Sequence, residues 1–263
     1  MAEPPPPALW RDLRRFTPAR VALGRAGNGL PTAAHLAFQA AHAAARDSVH
    51  AALDVDALAT DLRAIGVDPV RVASACPDRR TYLLRPDLGR ALAAPDRDRL
   101  AATPALGTIA FVLCDGLSAV AVQRHAAPLL AHVLPHLTAL PIGPVVIATQ
   151  GRVALADAVG QALGAEAVAV LIGERPGLTS PDSLGVYLTW QPRIGRLDSE
   201  RNCISNIRAE GLSPPDAAAK LLWLIGAMCR LRLTGVDLKD EQPLDPPADP
   251  PRALEQEGDP PPH

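Results

Sequence analysis

Thr108-Ile-Ala-Phe-Val-Leu-Cys114, Val145-Val-Ile-Ala-Thr149 and Ala167-Val-Ala-Val-Leu-Ile172 are runs of small aliphatic residues, apolar almost from end to end. They do not alternate, so neither side of such a strand is made for water. That is the pattern of parallel strands covered on both faces. The intervals between them carry helical patterns, Ser118–Leu137 with a bend expected at Pro128, and Ala154–Leu163. Strands alternating with helices predict an α/β fold with a Rossmann-like parallel βαβαβ sheet joined by right-handed crossovers.

In such a sheet every strand leaves at the same edge, and ligands bind in the crevice outside those carboxyl ends. The topology therefore selects three loops: Cys114-Asp-Gly-Leu-Ser118, Gln150-Gly-Arg-Val153 and Gly173-Glu-Arg-Pro-Gly-Leu178. Gly116, Gly151, Gly173 and Gly177 let backbone approach a bound molecule, and Asp115, Arg152, Glu174 and Arg175 supply charge. Each feature alone is ordinary turn and capping chemistry; three loops together point to a site. No G-x-G-x-x-G follows the first strand and no G-x-x-x-x-G-K-[ST] occurs, so neither nucleotide fingerprint is present.

Downstream, Gly185–Trp190 is an alternating strand candidate and Glu200–Arg208 is a polar segment with few apolar positions. Pro214 follows Ser213 at the first position of a closing helix, Asp216–Leu233, whose core face is Leu221, Leu224, Ile225 and Met228. Upstream, Thr32–Val49 and Asp56–Ile65 read as helices, with Gly66 where a C-cap belongs. Val70–Ala75 reads as a short strand, Arg85-Pro-Asp as a turn, and Asp87 as the cap of a helix through Ala101. These patterns divide the chain into a Pro-rich disordered lead (1–11), a smaller, mainly helical N-terminal domain (12–103), the sheet domain (104–239) and a disordered acidic Pro-rich tail (240–263).

The 263 residues carry 26 basic and 28 acidic side chains, a net charge of −2, so bulk electrostatics hold the chain to neither nucleic acid nor an anionic membrane. Aromatic residues are 3%, too few for base-stacking platforms. Cys76, Cys114, Cys203 and Cys229 are widely spaced, which argues against a disulfide framework or zinc knuckle. No apolar run is long enough to span a bilayer, and the Met1-Ala-Glu start followed by Pro4–Pro7 lacks the basic region of a secretory signal; the expected compartment is the cytoplasm. Cys203 as a nucleophile requires a base or a strongly lowered pKa, and a small packed side chain is the better reading. His132 and His136, four apart, are better read as surface residues than as metal ligands.

Gly173-Glu-Arg-Pro-Gly-Leu178, the strand Gly185–Trp190, Glu200-Arg-Asn-Cys-Ile-Ser-Asn-Ile-Arg208 and Glu210-Gly-Leu closely resemble the small subunit of ethanolamine ammonia-lyase. Arg20-Val-Ala-Leu-Gly-Arg-Ala-Gly27, Tyr82-Leu-Leu-Arg-Pro-Asp-Leu-Gly-Arg90, Asp115-Gly-Leu-Ser and Gly151-Arg-Val look like the same family, in the same order, over residues 12–240. The resemblance implies a lyase that turns ethanolamine into acetaldehyde and ammonia by a radical route begun by adenosylcobalamin. It implies a large (β/α)8-barrel partner that holds substrate, assembled with this chain as a hexamer of heterodimers. It places no catalytic residue and no metal ligand here, and cofactor contacts at Val153, Glu174 and Cys203. Val153 would give apolar contact, Glu174 would accept from corrin amides, and Cys203 would offer surface without sulfur chemistry.

No Asp-x-His-x-x-Gly motif occurs, in keeping with the base-on cobalamin of that family. The extension tied to microcompartment targeting in enteric relatives is reduced here to about a dozen residues, which argues against encapsulation. Arg25 in Gly24-Arg-Ala-Gly27 suits a subunit contact and a turn-stabilising charge equally. Two other readings stay open at this point: a structural subunit that never touches the cofactor, and a stand-alone Rossmann-like nucleotide enzyme.

Overall fold

An all-apolar strand forms only where helices shield both of its faces, and the chain provides them on either side. The structure, a computed structural model, describes residues 16–17, 19–138 and 140–241. The lead 1–11 and the tail beyond Glu241 lie outside the described residues; of the tail, Asp240 is seen paired with Lys220. In chain order the elements are α1 (Thr32–His50), α2 (Val55–Ala64), β1 (Val70–Ala73), α3 (Arg79–Leu84), the short turn α4 (Pro86–Gly89), α5 (Ala94–Ala101), β2 (Ile109–Cys114), α6 (Ala119–Val133), β3 (Ile142–Thr149), α7 (Leu155–Leu163), β4 (Ala167–Gly173), β5 (Leu184–Trp190), β6 (Asn202–Ile207) and α8 (Pro214–Leu231).

The six strands form one sheet in the order β1-β3-β2-β4-β5-β6. Strands β1 to β4 run parallel, as the aliphatic runs predict, whereas β5 and β6 each pair antiparallel to their neighbour. The wholly parallel sheet expected from sequence is thus corrected to a mixed one. The reason is length: residues 174–183 between β4 and β5 are too few for the helical crossover a parallel return requires. The mainly helical first part also contributes to this sheet: it delivers β1 to its edge, Val72 opposite Ala148, and Leu58, Ala59 and Leu62 of α2 to its core.

Strand periodicity sorts the core into two layers. Phe111, Leu113, Ile147, Ala169, Leu171, Val186 and Leu188 face α2, α6 and α8, while Ala110, Val112, Val146, Ala148, Val168 and Val170 face α5 and α7. Each large aliphatic side chain buried this way contributes about 1.5–3 kcal/mol. Helices α6 and α7 lie on opposite faces of the sheet, so the chain leaves β2 and β3 toward opposite sides.

Local rules explain the helix ends. Ser118 accepts the Ala121 N–H and caps α6, Ser213 caps α8 with Pro214 in its first turn, and Gly66 takes the positive φ that closes α2. Pro128 sits inside α6, which ends at Val133 and passes into a 3-10 turn, Leu134–His136. The cap expected of Asp87 is corrected: its carboxylate pairs with the Arg85 guanidinium, and the helix through Ala101 starts afresh at Ala94 with Pro95 in its first turn.

Candidate functional site

Asp115 begins the loop after β2, and it is 3% exposed. A carboxylate so deeply placed must be matched by donors. It accepts the Gln150 N–H at 2.9 Å and the Gly151 N–H at 3.1 Å, and Arg79 of α3 comes within 3.6 Å. Burial pushes its carboxyl above the ordinary value against the pull of those N–H groups and Arg79. Arg79 itself donates to the carbonyls of Val49 and Gly116, and Tyr82, under Arg79 and Arg152, donates to the Gly151 carbonyl. Gly116 has φ +55°, and a Cβ there would lie 2.2 Å from the Gly173 carbonyl oxygen. The three loops that topology selects are therefore joined into one unit through Asp115 and Gly116.

Val153 sits just before α7, half-buried against the layer beneath that helix. Glu174 is the first residue past β4, and its position follows from the mixed pairing. Gly185 on β5 stands opposite Ile172 and has no side chain, so the Glu174 carboxyl folds over it; a Cβ on Gly185 would meet Oε1 at 2.9 Å. Oε2 accepts from Ser183 Oγ and from the Asn206 N–H, and Oε1 accepts from Ser205 Oγ. A carboxylate offers about four acceptor positions. Three are filled, and the free one is on Oε1 of a side chain that is only half-buried.

Cys203 lies on β6 opposite Tyr187 and is exposed. Packing against the sheet face raises its thiol, the Tyr187 hydrogen bond opposes that, and the Glu174 carboxylate adds to it. The sulfur is therefore protonated at neutral pH, and the neighbouring carboxylate favours the thiol over the thiolate. Tyr187 is itself partly buried at the fringe of the layer that holds Val153, its phenol pushed up by burial and by the nearby Cys203 and Glu174.

Of the three residues carried over from the resemblance, the fold brings Glu174 and Cys203 onto one patch. Val153 stands on the same carboxyl edge and the same side of the sheet, with β2 between β3 and β4. Sequence reading missed Ser183, Tyr187, Ser205 and Asn206. The signal for Ser205 was available: two residues after Cys203 on a strand puts it on the same face. His132 closes α6 and His136 lies in the turn beyond it, and among the described residues no three His, Cys, Asp or Glu groups converge as a metal would require.

A family model described as ethanolamine ammonia-lyase light chain matches residues 7–239. Proteins named ethanolamine ammonia-lyase small subunit are similar throughout. That of Azotobacter vinelandii is 56% identical over 88% of this chain and 88% of its own length. That of Ralstonia nicotianae is 54% identical over 89% and 90%, and that of Pseudomonas fluorescens strain SBW25 is 50% identical over 92% and 91%.

Proposed function

The chain belongs to the family of ethanolamine ammonia-lyase light chains, and we propose that it forms one wall of the adenosylcobalamin site in a complex whose large barrel subunit holds ethanolamine. The observation that carries this reading is the Glu174 carboxylate. It is fixed over Gly185 by Ser183, Ser205 and the Asn206 N–H, and keeps one acceptor position free beside an exposed thiol and a phenol.

These residues fit the cofactor. The rim of a corrin carries amide side chains, which donate hydrogen bonds, and a carboxylate with an open acceptor suits them. Cys203 and Tyr187 present small and flat apolar surface beside it, and Val153 adds a methyl-bearing wall on the same edge. The chemistry the cofactor supplies when bound is a radical, generated from its cobalt–carbon bond, that starts the conversion of ethanolamine to acetaldehyde and ammonia. The part of this chain is to bind, orient and shield. The Glu174 carboxylate holds an amide donor in register; Asp115 and Gly116 tie the loop of Val153 to the end of β4. Cys203 stays a protonated thiol and gives surface only. In this reading no side chain of this chain would be needed to ligate cobalt, and assembly is with large subunits as a hexamer of heterodimers.

Titration of the reconstituted complex with adenosylcobalamin tests the reading. Glu174→Ala removes one charge-assisted hydrogen bond, worth about 1.5–3 kcal/mol, and is expected to raise the half-saturating concentration by roughly 10- to 100-fold with the complex intact. Unchanged affinity would instead support a structural subunit that leaves the cofactor to its partner.

A further inference from the structure

The connection between β4 and β5 begins with Glu174 and ends with the side chain that steadies it. Ser183 Oγ donates to Glu174 Oε2, and the Glu174 N–H donates to the Ser183 carbonyl at 2.9 Å. The carboxylate is therefore only as well placed as Ser183 is. Within the connection Gly177 and Ser180 exchange backbone hydrogen bonds, and none of residues 174–182 is buried. A stretch with so little packing is held in place by the polar contacts that reach it from the body.

Two hydroxyls reach it just before Ser183. Ser48 Oγ on α1 and Ser118 Oγ at the start of α6 lie 2.7 and 2.9 Å from the Pro181 carbonyl oxygen and 2.8 Å from one another. Two hydroxyls carry two protons for three contacts, and only one proton can serve the contact between them, so at least one is always given to Pro181. Asp182, next in the chain, pairs with Arg124 at 2.8 Å and lies 3.5 Å from His125. The two serines differ in their other work. Ser118 also caps α6 by accepting the Ala121 N–H, whereas Ser48, 5% exposed, is the single buried residue among the 19 of α1. An aliphatic side chain would seat that helix end without desolvating a hydroxyl. A buried hydroxyl is placed for its partner, here a carbonyl 133 positions along the chain.

We infer that Ser48 is a positioning residue for the cofactor: with Ser118 it fixes the Pro181 carbonyl, thereby Ser183, and so the direction in which the Glu174 carboxylate presents its open acceptor. The inference rests on the cofactor-wall reading above and names a residue, remote in sequence from Val153, Glu174 and Cys203, on which that wall depends. Its neighbour works in the same sense. The Val49 carbonyl accepts from Arg79, which also donates to the Gly116 carbonyl and comes within 3.6 Å of Asp115. The end of α1 thus reaches both the connection that carries Glu174 and the Asp115 loop.

The test is adenosylcobalamin titration of the reconstituted complex, with turnover read at saturation. Ser48→Ala is expected to raise the half-saturating concentration roughly 2- to 10-fold, the worth of one neutral hydrogen bond, and to leave turnover at saturating cofactor unchanged. In the Glu174→Ala background the same substitution is expected to add nothing, because the group through which it acts is gone. Should the alanine variant not assemble, Ser48→Cys, of nearly the same shape with a weak donor, replaces it under the same two expectations. Unchanged affinity in the single variant, or an equal further loss in the Glu174→Ala background, would overturn the inference. If Glu174→Ala itself leaves affinity unchanged, the cofactor-wall reading fails and this inference with it. If Glu174→Ala weakens binding while Ser48→Ala does not, only this inference fails.

Discussion

The two halves of the sheet obey different rules. Strands β1 to β4 are parallel and, in β2 and β4, buried at every position, between helices on both sides. Strands β5 and β6 are antiparallel; one face packs on α6 and α8, while the other carries Tyr187, Cys203 and Ser205 outward beside Glu174. The first half is a rigid frame that fixes where the loops begin. The second carries polar groups on one face in place of apolar cover, and it must be held to the frame by other means. The Asp157–Arg201 pair does this: Asp157 is on α7, Arg201 precedes β6, both side chains are 1–2% exposed, and two hydrogen bonds of 2.6 Å join them.

Separating the halves is expected to cost the most. Asp157→Ala takes the buried partner from this guanidinium, leaving it Thr189, the Arg196 carbonyl and the exposed Asp198 carboxylate at 3.5 Å, and is expected to lower unfolding free energy by about 3 kcal/mol in denaturant titration. A cost near that of an exposed pair, below about 1 kcal/mol, would mean that β6 is held without it. Within the frame, Leu113→Ala leaves a cavity in a fully buried strand and is expected to cost about 2–5 kcal/mol by the same measurement, with cofactor affinity unchanged once the complex has formed.

Gly185→Ala sharpens the contrast from the other side. The added Cβ meets the Glu174 carboxyl, which can swing away, so stability changes little; yet the acceptor leaves its place, and adenosylcobalamin affinity is expected to fall about as far as in Glu174→Ala. Equal affinity in this variant would detach Glu174 from the cofactor. The smallest expected effect is at Asp182, 16% exposed in its side chain, where burial raises the carboxyl but Arg124 at 2.8 Å and His125 carry it below the usual 3.8. A lowered folded value gives stability that is full above about pH 3.8 and is lost as pH falls through the folded value. Asp182→Asn is therefore expected to flatten that acid limb of the stability profile, by about 1 kcal/mol or less.

The frame was legible in the sequence because a doubly covered strand has to be apolar at nearly every position, and Ile109–Cys114 and Ala167–Gly173 are. The helices expected from Ser118 and from Asp216 begin at Ala119 and Pro214, within one and two residues, behind the caps Ser118 and Ser213. The antiparallel half was harder. β6 reads Asn202-Cys-Ile-Ser-Asn-Ile, with Asn206 at φ +62° in an irregular register, so neither alternation nor an apolar run announced a strand. The orientation of β5 was deducible from the short 174–183 connection, a geometric constraint rather than a compositional one. Glu174 and Cys203 came from family resemblance, but their partners came from the fold: Ser183, Ser205 and the Asn206 N–H converge only because Gly185 leaves room above β5.

Acetaldehyde formation from ethanolamine and adenosylcobalamin, with the large subunit of the same genome in the presence and absence of this chain, tests the central claim most directly. Product only when both chains are present is the predicted result. Equal turnover by the large subunit alone, or none from a stable complex of the two, would contradict it.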